Sequence, residues 1–104
     1  MQLNFIQDVP LGYVQTASGA IDTATALSAI PAVQALLVKG AVMLLISAET
    51  QNVRWRDDGN NPTTTTGNPM VTGVERFFTM RNNNLKFIAV TAGAILNVTA
   101  YGNT

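Results

Sequence analysis

A chain of 104 residues with no cysteine and no histidine excludes disulfides, thiolate metal sites and the commonest general base. Six basic and six acidic residues cancel, which leaves no electrostatic field to draw nucleic acid or an anionic membrane. Charged residues make up only 12% of the chain and hydrophobic residues 47%; charge this scarce leaves surface that another protein subunit is expected to cover.

One domain over residues 1–104 is the expectation at this length, burying roughly 65% of the surface its unfolded chain exposes. The start, MQLNFIQDVP, has neither a basic n-region nor an apolar h-region, so no signal peptide is expected and the sequon Asn97-Val98-Thr99 is idle. Residues 27–48 are apolar, but Pro31, Lys39 and Gly40 interrupt them. No unbroken run reaches the ~20 residues of a membrane span.

In chain order, residues 3–6 predict a short extended start, Pro10-Leu11-Gly12 a turn, and residues 13–18 a weakly alternating strand. Residues 23–28, rich in Ala and Thr, fit no single element. In PAVQALLVK, residues 31–39, Pro31 suits the first helical position and Gly40 the place just past the last turn. That favours a short helix over a strand through 35–38. Residues 41–48, AVMLLISA, are apolar on both faces and too short for a typical helix, and predict a buried central strand. In NVRWR, Val53 and Trp55 point one way while Asn52, Arg54 and Arg56 point the other. Period two makes this a strand with one buried face and one guanidinium face.

Asp57-Asp58-Gly59 is a turn signal. Residues 60–68 follow as a loop, punctuated by Pro62 and Gly67 and then Pro69, whose β-branched threonines predict an extended course. Residues 74–81, VERFFTMR, predict a strand, Asn82-Asn83-Asn84 a hairpin turn, and residues 85–90, LKFIAV, the return strand. TAGA turns again with Gly93 left-handed. Residues 95–101 close the chain, with Leu96, Val98 and Ala100 on one face and Asn97, Thr99 and Tyr101 on the other.

Short strands separated by turn signals give the fold class: all-β, a compact antiparallel β-sandwich or jelly-roll-like domain with at most one short helix. The expected core is Val42, Leu44, Ile46, Val53, Trp55, Phe87, Leu96 and Val98. Residues 41–101 form its centre; residues 1–40 are either a peripheral part or an N-terminal arm that pairs with a neighbour.

Few residues could carry chemistry. Asp57 and Asp58 are adjacent and diverge, so they suit a capped turn with ion pairs to Arg54 or Arg56 better than a catalytic pair. DDGNN lacks the closing Glu of a calcium loop. Arg54, Trp55 and Arg56 would suit a nucleobase, but Trp55 faces away from both arginines and the aspartates cancel their charge. Ser18, Ser28 and Ser47 have no histidine to activate them, and no nucleophile elbow or phosphate loop is present. These residues predict no enzyme, no cofactor and no metal. The arginines are better read as rigid forks for carboxylates, within the chain or across a subunit boundary. Phe77 and Phe78 are consecutive, so one faces in and the other needs cover.

AETQNVRWRDDGNNPTTTTGNPM followed by LKFIAVTAGAILNVTAY resembles small structural proteins from the virion gene blocks of tailed bacteriophages and prophages. The shared features are an Arg-Asp-Gly turn, a Pro-Thr stretch, a Gly-x-Pro and the closing strand pair. The resemblance covers residues 41–101. It implies a non-enzymatic virion component, best a capsid decoration or cement protein on the outer surface of the head. Tail, neck or collar components are the alternatives, and a receptor- or carbohydrate-binding module ranks behind them. The implied partners are the major capsid protein or another virion protein and further copies of the chain, a trimer being favoured, with neither nucleic acid nor membrane. The expected interface is Arg54, Arg56, Asp57, Asp58, Thr64, Thr65, Phe78 and Tyr101. Replacing Arg54 or Arg56 by alanine is expected to weaken assembly more than folding.

Overall fold

The computed structural model describes residues 8–79 and 84–103. It contains eight strands: β1 (Asp8–Gln15), β2 (Thr25–Ala26), β3 (Met43–Glu49), β4 (Val53–Arg56), β5 (Asn68–Met70), β6 (Glu75–Thr79), β7 (Lys86–Ala89) and β8 (Ile95–Asn103). A 3-10 turn, Leu27–Ala29, and one helix, α1 (Pro31–Leu37), lie between β2 and β3. Sheet I has the order β1-β8-β3-β6 and sheet II the order β2-β7-β4-β5. Every pairing is antiparallel.

One principle generates this order. The chain behaves as a single long hairpin: β1 pairs with β8, β2 with β7, β3 with β6, and β4 with β5. Winding that hairpin on itself adds the pairs β3·β8 and β4·β7 and splits the strands between two layers. The result is a jelly roll, which agrees with the expected all-β sandwich. Its tip is the connection from β4 to β5.

The same winding overturns the hairpin expected between residues 74–81 and 85–90. β6 lies in sheet I against β3, while β7 lies in sheet II between β2 and β4, so their link crosses between layers. Asn82 and Asn83 fall outside the described residues, as do residues 3–6. Pro10-Leu11-Gly12 is not a turn but an irregularity inside β1, where the register against β8 shifts between Pro10 and Gly12. β5 has no counterpart in the sequence reading. It is an edge strand, where the missing N–H of Pro69 is tolerated.

Side-chain alternation decides what is buried. Along β3, Leu44, Ile46 and Ala48 turn inward while Met43, Leu45 and Ser47 turn out. The inward faces of β8 and β4 contribute Leu96, Val98, Val53 and Trp55. Val42, expected in the core, is 39% exposed; it precedes β3, and its N–H donates to the Tyr101 carbonyl at 2.8 Å.

Residues 8–40 contribute side chains to this core. β1 pairs with β8 of the same chain, and Ile21, Leu27, Val33 and Leu36 are buried within it. Helix α1 begins on Pro31 as predicted, and its Val38 N–H closes the last turn on the Gln34 carbonyl. Leu36 packs on Gly12, where an added Cβ would stand 2.7 Å from Leu36 Cδ2. With φ at +153°, only glycine lets strand and helix approach so closely.

Candidate binding surfaces

The tip of the wound hairpin carries most of the residues expected at an interface. Outward-facing Arg54 on β4 turns its guanidinium onto the tip loop: Nε donates to the Thr64 carbonyl at 3.2 Å and Nη1 to the Gly67 carbonyl at 2.8 Å. Gly67, at φ +134°, sits so tightly under this contact that a Cβ would meet Arg54 Cβ and Pro62 Cβ at 3.2 Å. Pro62 is fully buried. The Thr63 N–H donates to the Thr66 carbonyl at 2.8 Å, and the Thr63 hydroxyl accepts from the Thr65 and Thr66 N–H groups. The threonines therefore form a closed turn rather than the extended course expected, because Thr63 bonds its own backbone. Thr64 and Thr65 stand exposed on it.

Beside this turn, Arg56 forks onto Asp58, with Nε to Oδ1 at 3.0 Å and a second bond from Nη2 to Oδ2. The Asn60 N–H also donates to Asp58 Oδ1 at 3.2 Å. The bond from Arg56, then that from Asn60, holds the Asp58 carboxyl well below the usual carboxylate range. The bond to Asp58 in turn raises the Arg56 guanidinium. Asp57 is exposed next to them. Arg54, Arg56 and Asp58 thus spend their directional bonds inside the chain. Their effect is to tie the tip to its own backbone and side chains.

Phe78 does not belong to a surface. It is 6% exposed, whereas Phe77 is 57% exposed. The register decides this: Phe78 lies opposite inward Leu44, and Phe77 opposite outward Leu45. Phe78 stands edge-on to Trp55 and to Phe87 across the core. Arg76, which the sequence reading did not single out, lays its guanidinium 4.9 Å from the centre of the Trp55 ring.

Tyr101 lies on a different surface, the outer face of sheet I. The ladder places Tyr13, Thr99, Leu45 and Phe77 in one row across four strands, and Pro10, Tyr101, Met43 and Thr79 in the next. The Phe77 and Tyr101 rings are 6.4 Å apart, and Tyr13 is 57% exposed. Neither row holds a charged side chain. Polar residues follow further along the strands, where Glu49 Oε1 accepts from Gln15 at 3.2 Å and from Asn97 at 2.6 Å, and the Tyr13 hydroxyl donates to Asn97.

Of this face, the sequence reading placed only Tyr101 at an interface. The usable signal was the run at 41–48, apolar on both faces. In an antiparallel sandwich one face of a strand meets the core and the other meets solvent. An apolar outer half therefore marks an apolar face turned to solvent.

Among the described residues no group of three acidic or other metal-ligating side chains could hold a metal ion, and no helix is long and apolar enough to cross a membrane. Comparison with protein-family models, with curated proteins and with solved structures finds no match to this chain.

Proposed function

We propose that the protein is a non-enzymatic structural component of a bacteriophage virion, a decoration protein that stabilises the head by binding capsid subunits. The observation that carries this reading is the pair of uncharged rows on the outer face of sheet I, where Tyr13, Met43, Leu45, Phe77 and Tyr101 form an apolar area bordered at one end by Glu49 and Glu75. Such patches mark protein contact surfaces. Aromatics concentrated there and charge kept to the margins fit the composition of interface centres. The turn at residues 63–66, tied down by Arg54, offers a second contact whose backbone is already bonded within the fold. The resemblance of residues 41–101 to virion proteins supports the same reading. So does the jelly roll, which viral capsid domains share, as an analogy of fold alone.

The test is co-sedimentation of the purified protein with assembled phage shells and, separately, with unassembled capsid subunits. Saturable binding of many copies to shells, and not to free subunits, is the expected outcome. Binding only to tail or neck assemblies moves the protein there, and indifference to every virion part overturns the proposal.

A further inference from the structure

We propose that the Asp58–Gly59 step is a site of backbone isomerisation and that Arg56 holds it closed, its guanidinium fork keeping the Asp58 carboxyl from cyclising onto the Gly59 nitrogen. This goes beyond the reading above and holds whatever partner the chain has.

The sequence offers one place for this chemistry. Asp58 is the only Asp or Asn of the chain that precedes a glycine. Without a Cβ, residue 59 puts nothing in the way of its own nitrogen meeting the side chain before it. Gly59 is exposed at φ +87°, and a Cβ built there would meet nothing within 4 Å. Among the described residues no hydrogen bond holds the Gly59 N–H. The nucleophile is therefore open to water and unengaged.

The reaction is a dehydration followed by a hydrolysis. The Gly59 nitrogen loses its proton to solvent and attacks Asp58 Cγ. A C–N bond forms and closes a succinimide ring, while one carboxyl oxygen leaves as water. Water then opens the ring at either carbonyl. Opening at the main-chain carbonyl breaks the original peptide C–N bond. Gly59 is then attached through Cγ, and the old carbonyl carbon becomes a free carboxyl. The composition is unchanged and no co-reactant beyond water takes part, but the main chain has gained a carbon and the side chain has lost one.

The geometry opposes the first step. Cyclisation needs Cγ to swing onto the Gly59 nitrogen, and both carboxyl oxygens are held elsewhere. Oδ1 accepts from Arg56 Nε at 3.0 Å and from the Asn60 N–H at 3.2 Å. Oδ2 accepts from Arg56 Nη2 and from Asn60 Nδ2, the latter at 3.4 Å. Asn60 belongs to the same turn and moves with it. Arg56 is anchored outside it, in β4, paired with Lys86 on β7. Arg56 is therefore the clamp. Its bond also favours the ionised carboxyl, whose oxygen cannot leave as water without being protonated.

The experiment incubates the purified protein beside Arg56→Ala, Arg56→Lys and Arg54→Ala at neutral pH, below their melting temperatures. Isoaspartate is counted by enzymatic methylation of isoaspartyl carboxyls and placed by electron-transfer fragmentation of the peptide carrying residues 57–59. The unmodified chain should isomerise more slowly folded than unfolded in guanidinium. Arg56→Ala should isomerise about tenfold faster than the unmodified chain, the scale of a partly exposed bidentate pair. Arg56→Lys should fall between them, since an ammonium cannot fork. Arg54→Ala frees the carbonyls of Thr64 and Gly67 but leaves every bond to Asp58 in place, so it should keep the unmodified rate. Circular dichroism checks that each variant is folded, and if Arg56→Ala is not, Arg56→Lys carries the comparison. Isomerisation no faster in the Arg56 variants than in the unmodified chain overturns the proposal. So does a folded chain that reacts as fast as the unfolded one, or isoaspartate formed elsewhere and not at Asp58. Equal acceleration by Arg54→Ala overturns it too, because a loosened tip and not the fork would then set the rate.

Discussion

The rings of Trp55 and Phe78 meet edge to face, with centroids 4.9 Å apart and planes at 87°, and this contact joins sheet II to sheet I. Phe78 continues to Phe87 on the far side, at 5.7 Å. Trp55 and Phe87 already face each other across the β4·β7 ladder. The three rings therefore lock β6, the edge strand of one sheet, onto the centre of the other.

This register makes neighbouring residues behave oppositely. Phe78→Ala should cost about 3–5 kcal/mol in urea unfolding, as a large cavity opens between the layers. Phe77→Ala, one residue earlier, should stay within about 0.5 kcal/mol for the monomer. Equal losses at both positions would mean that β6 is not held in this register.

Arg76 covers the outer flank of that cluster, over Trp55 at 4.9 Å and over Phe78 at 5.5 Å. Arg76→Ala should lower stability by about 0.5–1 kcal/mol and shift Trp55 fluorescence to the red as water reaches the ring. Arg76→Lys should recover only part of this, because an ammonium cannot lie flat on an indole. Fluorescence unchanged in the alanine variant would remove the guanidinium from the ring.

The pattern of residues that made this fold readable is local. Period two in NVRWR and in residues 95–101 put Val53, Trp55, Leu96 and Val98 inside, and the structure has them there. Pro31 marked the start of α1. What failed was long-range. Asn82-Asn83-Asn84 looks like a hairpin turn because local propensity does not say whether the next strand returns to the same sheet. Gly12 looks like a turn residue because nothing in its own neighbourhood reveals Leu36 above it. Phe77 and Phe78 could be told apart only through their partners on β3. For the candidate surfaces, RWRDDG showed that polar chemistry concentrates at one place but not that its bonds turn inward. The apolar face of sheet I needed the register of four strands before Tyr13, Leu45, Phe77 and Tyr101 became one area.

Arg54 acts on its own loop, so its replacement should be felt in the isolated chain. Arg54→Ala removes the donors that hold the carbonyls of Thr64 and Gly67, and should cost about 1–3 kcal/mol as charge-assisted bonds are lost. The amides of Thr65 and Thr66 should exchange faster with solvent deuterium. Arg54→Lys should restore part of the protection, since one ammonium cannot fork to both carbonyls. Exchange rates unchanged in Arg54→Ala would show that the Thr63 turn closes without the arginine, and would return Arg54 to the role of an intermolecular contact.

The Arg56–Asp58 pair sets the sign of an acid effect. The carboxyl of Asp58 is depressed in the folded chain by the bond from Arg56, so below the ordinary aspartate range the unfolded chain binds more protons than the folded one. Stability from this pair is fully present above about pH 4 and is lost as pH falls towards the depressed native value. Asp58→Asn removes the titrating group, so its melting temperature should fall less steeply between about pH 4 and pH 2 than that of the unmodified chain. The pair is exposed on the tip, with side-chain exposures of 27% and 49%, so the difference should be small and should shrink in molar salt. Parallel acid limbs at low salt would mean that Arg56 and Asp58 do not hold each other in solution. The tip would then be shaped by Arg54 and the Thr63 turn alone.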